Sequence, residues 1–331
     1  MMNPQLGRLG SVSPSLLNGG SAKPTFRGDL VDFFTFKGKG NIDLDRNTIT
    51  GLLDNKLTAY NFVWNLMSGY GGYNENYLTY SKAANVFVTD DHSITIMNFV
   101  PANNWVVFKY GNSALKSTKI KVSGLTSDNQ LEYGYSPSNE GARVMMPIPK
   151  DGIYDLPESV VNQSTYSIGF FLRNALTKNV TIEQIPLYEG AIVTDGVDDY
   201  LKLDKVGYKV GTVIIKYIPI PTVNRWQYVL ETKTERIALS YNSITAIEND
   251  SYSTNFDNVR NIEGYKVCKF NGGNIKNIST PLFIGSNTVI NEPLSMALYS
   301  IAIYSTALSE EDVQKEISEA FPKYEQLILN R

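Results

Sequence analysis

One cysteine, Cys268, and one histidine, His92, are all that 331 residues supply of these two side chains. A disulfide within the chain, a Cys/His zinc site and any catalytic or metal cluster built on two histidines are therefore excluded. Charge is scarce as well: Asp, Glu, Lys and Arg make up 19% of the residues, below the roughly 25% of an average soluble protein. Thirty basic against 33 acidic side chains leave a net charge of −3. No broad basic surface waits for a phosphate backbone and no polybasic tail waits for anionic lipid, so no nucleic-acid partner is expected. No apolar run reaches the roughly 18 residues of a membrane helix. The first residues lack a basic segment followed by about 7–15 apolar ones, and no signal peptide is expected. The sequons beginning at Asn162, Asn179, Asn249 and Asn277 then read as by-products of a chain with 31 asparagines.

What is abundant is tyrosine (21) and asparagine on an apolar fraction of 42%, enough for sizeable cores in about two domains at the usual ~100–200 residues each. Residues 1–27 are rich in Gly, Ser, Pro and Asn with scattered leucines, a composition that cannot order itself by burial. They read as an extended arm, with Leu6, Leu9, Leu16 and Leu17 as candidate assembly contacts. From Leu30 the pattern becomes short strands. Val31, Phe33 and Thr35 alternate with Asp32, Phe34 and Phe36, and residues 57–64 form a second strand signal before the glycines of GYGGY, Gly69 to Tyr73. Seven candidates follow between residues 78 and 188, at 94–100, 105–110, 119–122, 131–135, 143–148, 166–172 and 180–185. Turn residues separate them, which is the mark of an antiparallel sandwich rather than of βαβ units. A third series covers 210–220, 226–231, 236–241, 265–270, 282–284 and 294–304. In the last, Leu294, Met296 and Leu298 occupy one alternation phase and Tyr299, Ile301 and Ile303 the other. Either both faces are covered or a bulge near Ser300 slips the register. Only the C-terminus reads as helix: Ser309 with Glu310, Glu311 and Asp312 forms a capping box, Val313, Ile317 and Ala320 share a face, and Pro322 is expected to end or break the helix, after which the remaining residues either pack as one more turn or reach a neighbour through Leu327, Ile328 and Leu329.

Two stretches and the chain's ending resemble a known family. Lys37 to Asn41, Asp45 to Thr50, Asn61 to Phe62 and Ser68 to Gly71, then EGAIVTDGVDDYLKLD (Glu189 to Asp204), and finally Leu298 to Glu319, are similar to the laminin-G or concanavalin A-like domains of virion proteins from tailed phages of gut Bacteroidales, crAss-like or related. The family's usual G-N-G turn is replaced here by Asp54, Asn55 and Lys56, so that turn must differ. In ordinary members the opening strand and the DGVDDY strand lie close in sequence, whereas here Asn61 and Asp195 are far apart. The resemblance therefore implies an all-β fold: a discontinuous concanavalin A-like jelly-roll of residues 28–75 plus 189–321, a second β-sandwich inserted at 76–188, a short C-terminal helix and a tail at 322–331. Whole-domain insertions are tolerated at exposed loop tips.

Chemistry-bearing groups are few. Asp195, Asp198 and Asp199 are the densest acid cluster and, as in some laminin-G-like domains, could offer oxygens to Ca²⁺, although the EF-hand spacing is missing. The alternative is that Asp198 and Asp199 accept backbone N–H groups in a tight turn. No pair of acids is spaced along a strand for glycoside hydrolysis, and no enzyme is expected, nor any cofactor beyond that calcium reading. GYGGY lacks phosphate-loop spacing and reads as a turn or a close backbone approach. Trp64, Trp105 and Trp226 lie within strand patterns that favour core packing. Tyr70, Tyr73, Tyr77 and Trp105 are the candidate carbohydrate contacts, with Tyr80 beside them in the tyrosine-rich loop. His92 and Cys268 read as singletons.

The resemblance, the arm and the two-sandwich plan together imply a structural, non-enzymatic virion protein, a tail or head appendage or fibre-like subunit, assembled in the host bacterial cytoplasm. Its expected partners are other virion proteins, reached through the arm, further copies of itself in a trimer or ring, and bacterial surface glycan. A glycan-binding adhesin or lectin module is the alternative reading, and a polysaccharide-cleaving tailspike has the least support.

Overall fold

The computed structural model describes residues 26–331 apart from 129, 221–225, 234–237 and 243–251. Leu6, Leu9, Leu16 and Leu17 lie outside the described residues, as does part of the 236–241 strand candidate. The chain folds as an all-β sandwich protein with antiparallel sheets and a short helical C-terminus.

Everything in the larger unit is organised around Ser295–Tyr304. Thr212–Pro219 pairs with its whole length on one edge. On the other edge two strands share it end to end: Ile192–Asp195 takes the first half and Leu30–Thr35 the second. The double apolar phase of this strand has both of the causes that the sequence allows. Lys216 pairs with Ser300 and Tyr217 with Leu298, so Tyr299 is bulged out, and the bulge moves the inward phase from Met296 and Leu298 to Ile301 and Ile303, all four in one core. The opposite phase is covered too, because Ala302 and Tyr304 pack beneath the C-terminal helix.

A second seven-stranded sheet faces this one, in the order Thr48–Thr50, Lys56–Tyr60, Tyr200–Leu203, Leu282–Ile284, Trp226–Thr232, Ala238–Asn242, Tyr252–Thr254. Leu57, Leu201, Leu203, Ile284 and Leu230 meet Phe34, Phe36, Ile192 and Ile301 between the layers. The strand from Lys56 stops at Tyr60, short of the expected Trp64, because Asn61 turns the backbone left-handed at φ 68. The departure from G-N-G is accommodated in the same region. Asp54 takes the left-handed position (φ 65) that glycine would otherwise fill, while Asn55 anchors the turn by donating from its side chain to Asp32 Oδ2 at 2.6 Å.

Residues 81–184 carry two five-stranded sheets of their own. One runs Val144–Ile148, Leu131–Tyr135, Ile168–Leu172, Asn104–Lys109, Ser81–Lys82, and the other Gly152–Leu156, Thr118–Ser123, Val180–Gln184, Ser93–Ile96, Val86–Val88. Tyr77, Ile94, Val107, Ile120, Leu131, Phe170 and Ile182 belong to the core between them. The chain enters and leaves this region side by side: the Leu187 and Tyr188 N–H groups donate to the Gly72 and Gly71 carbonyls at 2.9 and 2.8 Å, and Gln184 bonds Glu75 through both its amide oxygen and its amide nitrogen. Gly71 (φ 82) and Gly72 (φ 61) supply the left-handed backbone that this crossing needs, and a Cβ on Gly71 would lie 2.7 Å from Pro186. GYGGY is a close approach of two chain segments.

The C-terminus corrects one expectation. Ser309 caps Glu310–Lys315 by accepting from Asp312 N–H at 3.0 Å, but Pro322 neither ends the helix nor starts a tail. A π turn, Glu316–Ala320, carries the chain into Phe321–Leu329, where Pro322 sits in the first turn, the part of a helix that best tolerates its missing N–H. Phe321 and Tyr324 then lie 5.0 and 5.5 Å from Phe33. Each buried ring of this kind contributes about 1.5–3 kcal/mol, enough to hold residues 322–329 in the helix against a proline.

Candidate functional site

Four sequence-predicted candidates divide sharply by exposure. Tyr70 (3% exposed) and Tyr77 (2%) are buried. Tyr70 Oη donates to the Arg46 carbonyl at 2.8 Å and its ring stacks in the series Phe62, Trp64, Tyr70. Tyr77 fills the core of the 81–184 region edge-on to Phe170. Neither ring is open to a sugar: each is a large plug where the chain crosses between two cores. Tyr73 is half-buried and lies flat on His92, its phenol pushed up to about 12 by burial and then by the charges of Asp91, Asp90 and Glu183.

Trp105 is different. It lies on the outer face of the sheet containing Asn104–Lys109, and the strand register explains how. Gly134 pairs with Met145 on one side and Gly169 on the other, and Gly169 pairs with Phe108, which in turn faces Ser81. Two adjacent glycines in one cross-strand row leave a trough in the sheet surface. The indole of Trp105 leans into it, with Phe171 edge-on at 5.3 Å and Phe108 at 6.2 Å. The Arg143 guanidinium sits 4.6 Å over the indole and that of Arg173 5.0 Å over Phe171. Arg173 is paired with Glu132 at 2.6 Å, whereas Arg143 donates to the Ser167 carbonyl at 2.8 Å and has no carboxylate partner among the described residues.

Beyond Phe108 the same face continues into a shallow pocket of about 340 Å³ lined by Thr79, Ser81, Phe108, Lys109, Tyr110 and Ser113. Tyr110 is 60% exposed and stands edge-on to Phe108 at 5.9 Å. Three aliphatic hydroxyls and two rings, one of them a phenol, line a solvent-open depression beside an aromatic trough, while the Lys109 ammonium is turned to Glu75 at 3.0 Å. Rings offer apolar faces to the C–H side of a sugar, and hydroxyl groups reach its oxygens. Phe108, Tyr110 and the three hydroxyl residues were not singled out from sequence. The one signal was that Phe108 and Tyr110 share an alternation phase; Trp105, on the other phase, reaches their face through the bulge at Val106.

The acid cluster is built at the end of Ile192–Asp195. Asp195 Oδ1 accepts from Val197 N–H at 2.7 Å and Asp198 N–H at 3.4 Å, while Asp199 Oδ2 accepts from Asp195 N–H at 3.0 Å. The turn is thus made by Asp195 and Asp199, and the Asp198 side chain projects outward. Asp199 is fully buried and its Oδ1 has no partner. Burial pushes its carboxyl up to about 7, the neighbouring Asp195 and Asp198 charges add to that, and the Ser68 hydroxyl and Asp195 N–H oppose it. One oxygen from each of the three acids falls within 4.8 Å of the others. The free Asp199 Oδ1 fits a cation ligand, yet three carboxylates fall short of the 6–8 oxygens about a calcium ion takes, and the rest would have to come from backbone or water.

No family model matches the chain, and no curated protein matches it either.

Proposed function

We propose that the chain is a non-catalytic structural subunit of a phage particle whose 81–184 region binds glycan on the host surface, across the Trp105 trough and the adjoining Tyr110 pocket. One observation carries the glycan half: the Gly134–Gly169 row opens the outer face of a sheet, and the space is occupied by aromatic rings with arginine guanidinium groups stacked on them. The pocket's lining residues include no carboxylate, which favours binding over hydrolysis. Arg143, a cation without an acidic partner among the described residues, favours polymers that carry carboxylates.

The particle half rests on the resemblance of the segments 37–71, 189–204 and 298–319 to laminin-G-like virion domains, on the jelly-roll reading of the larger unit, and on the composition of residues 1–27 as an arm that docks on other virion proteins. A trimer or ring of copies suits such an appendage. The test is equilibrium binding of the full chain to acidic and neutral surface polysaccharides of the host. Wild type is expected to bind an acidic polymer and Trp105→Ala and Tyr110→Ala to lose at least about tenfold, which is ~1.4 kcal/mol. Binding unchanged in both variants, or none to any host polymer, would leave the face as an assembly surface only.

A further inference from the structure

A second group of ligating side chains lies away from both sites described above, at the turn before Ser93–Ile96. We propose that Asp90, Asp91 and His92 form a binding site for a divalent transition ion of the zinc class. Oxygen and nitrogen atoms of the three side chains fall within 4.8 Å of one another. His92 Nδ1 lies 2.9 Å from Asp91 Oδ1 and 3.2 Å from Asp90 Oδ1. Two donors on one ion with bonds near 2.1 Å are held about 3.0–3.4 Å apart, close to these separations.

The bland account is that His92 simply pairs with its neighbours. It accounts for Asp90 Oδ1, which accepts from His92 N–H at 2.9 Å, but it leaves one thing over. Asp91 is 3% exposed, and its second oxygen, Oδ2, is buried without any partner. A buried carboxylate oxygen with no donor is a costly arrangement. Negative charge accumulates further because Glu183 acts on the same imidazole, and among the described residues no lysine or arginine forms an ion pair with any of the three acids. A cation of higher charge would satisfy the free oxygen and balance the acids together. The donor set of one imidazole and two carboxylates suits zinc, nickel or manganese better than calcium, which prefers an all-oxygen shell.

Position gives the site a role. The Asp91 carbonyl accepts from Tyr77 N–H at 2.7 Å and the His92 carbonyl from Gln184 N–H at 2.9 Å, so this turn holds both the incoming and the outgoing chain of the 81–184 region. Tyr73, on the incoming segment, covers the imidazole at 4.2 Å. An ion here fixes the turn to which both crossings are tied.

The experiment uses the full chain, stripped with chelator and titrated calorimetrically with Zn²⁺ alone, then with Zn²⁺ in excess Ca²⁺. One equivalent is expected to bind, calcium is expected not to displace it, and the melting temperature is expected to rise. His92→Gln and Asp91→Asn should each weaken binding by more than about tenfold, and Asp195→Asn, at the other acid cluster, should leave it unchanged. Should Asp91→Asn fail to fold, as its near-ultraviolet circular dichroism would show, the more exposed His92→Gln carries the decision. Absence of binding, binding that survives His92→Gln, or binding lost in Asp195→Asn would each overturn the assignment.

Discussion

Gly134 makes room for Trp105: a Cβ placed on that glycine would lie 2.6 Å from Cη2 of the indole, and 3.0 Å from Cδ of the Arg143 side chain that covers it. Gly134 has an ordinary backbone conformation, so Gly134→Ala tests the space alone. The indole must move, and overpacking of this kind costs about 1–3 kcal/mol. We expect a fall of that size in urea-unfolding stability together with weaker glycan binding. Gly169→Ala is expected to be worse, because Gly169 combines φ +124 with a Val107 carbonyl 2.6 Å from the new methyl. Equal stability of wild type and Gly134→Ala would mean that the trough is not tight.

Stability should fall with rising pH through Asp199. Its carboxyl stands near 7 when folded, against an ordinary 3.8, so the folded state holds a proton that the unfolded chain releases. That contribution is complete below about pH 4 and is lost as pH climbs through 7. Asp199→Asn keeps the acceptor for Asp195 N–H and removes the titration. Relative to wild type, the variant should gain on the order of 2 kcal/mol between pH 5 and pH 8. Chemical denaturation at the two pH values reads it, and an equal difference at both would sink the idea. Calcium engaging the three acids would strip the proton and flatten the slope, whereas a slope indifferent to calcium removes that ion from the turn.

These two sites show where sequence reading succeeds and stops. The bulge at Tyr299 was legible because both apolar phases of 294–304 are written in consecutive residues, and so was the Ser309 cap. The Gly134–Gly169 row was not, because it depends on which strands are neighbours and in what register, and no local pattern encodes that. Tyr70 and Tyr77 misled for a related reason. A glycine-rich, tyrosine-rich segment reads as a loop, and only the crossing of two chain segments beside two cores reveals that its phenols are needed inside. Pro322 misread the C-terminus because the π turn before it depends on Phe321 and Tyr324 reaching Phe33, a contact made across almost the whole chain.

The helix is tied to the sheet by a buried acid. Glu316 Oε2 accepts from Tyr304 Oη at 2.7 Å and from Tyr324 Oη at 3.1 Å. Tyr304→Phe preserves the ring and deletes the shorter bond, so a buried carboxylate loses a donor. The expected loss is about 1.5–3 kcal/mol, with a smaller one for Tyr324→Phe. A double-mutant cycle should show coupling, since both hydroxyls share one oxygen. Additive losses would show that the two bonds act independently.

The start of the folded part separates docking from stability. Phe26 lies edge-on to Tyr324 at 5.8 Å, and Arg27 bonds Asp29 at 3.0 Å and Asp312 at 2.6 Å. These two residues belong to the fold although composition places them with the arm. A chain lacking residues 1–25 should therefore melt with the full-length protein. One lacking 1–27 gives up an aromatic contact and a partly exposed ion-pair cluster, together worth about 1–2 kcal/mol, and should melt a few degrees lower, roughly 2–4 °C per kcal/mol. If the arm docks the subunit on its neighbours, both truncations lose incorporation into particles, the shorter one without any loss of stability. Particles that take up the chain lacking 1–25 at the normal level would show that the anchor lies elsewhere in the molecule.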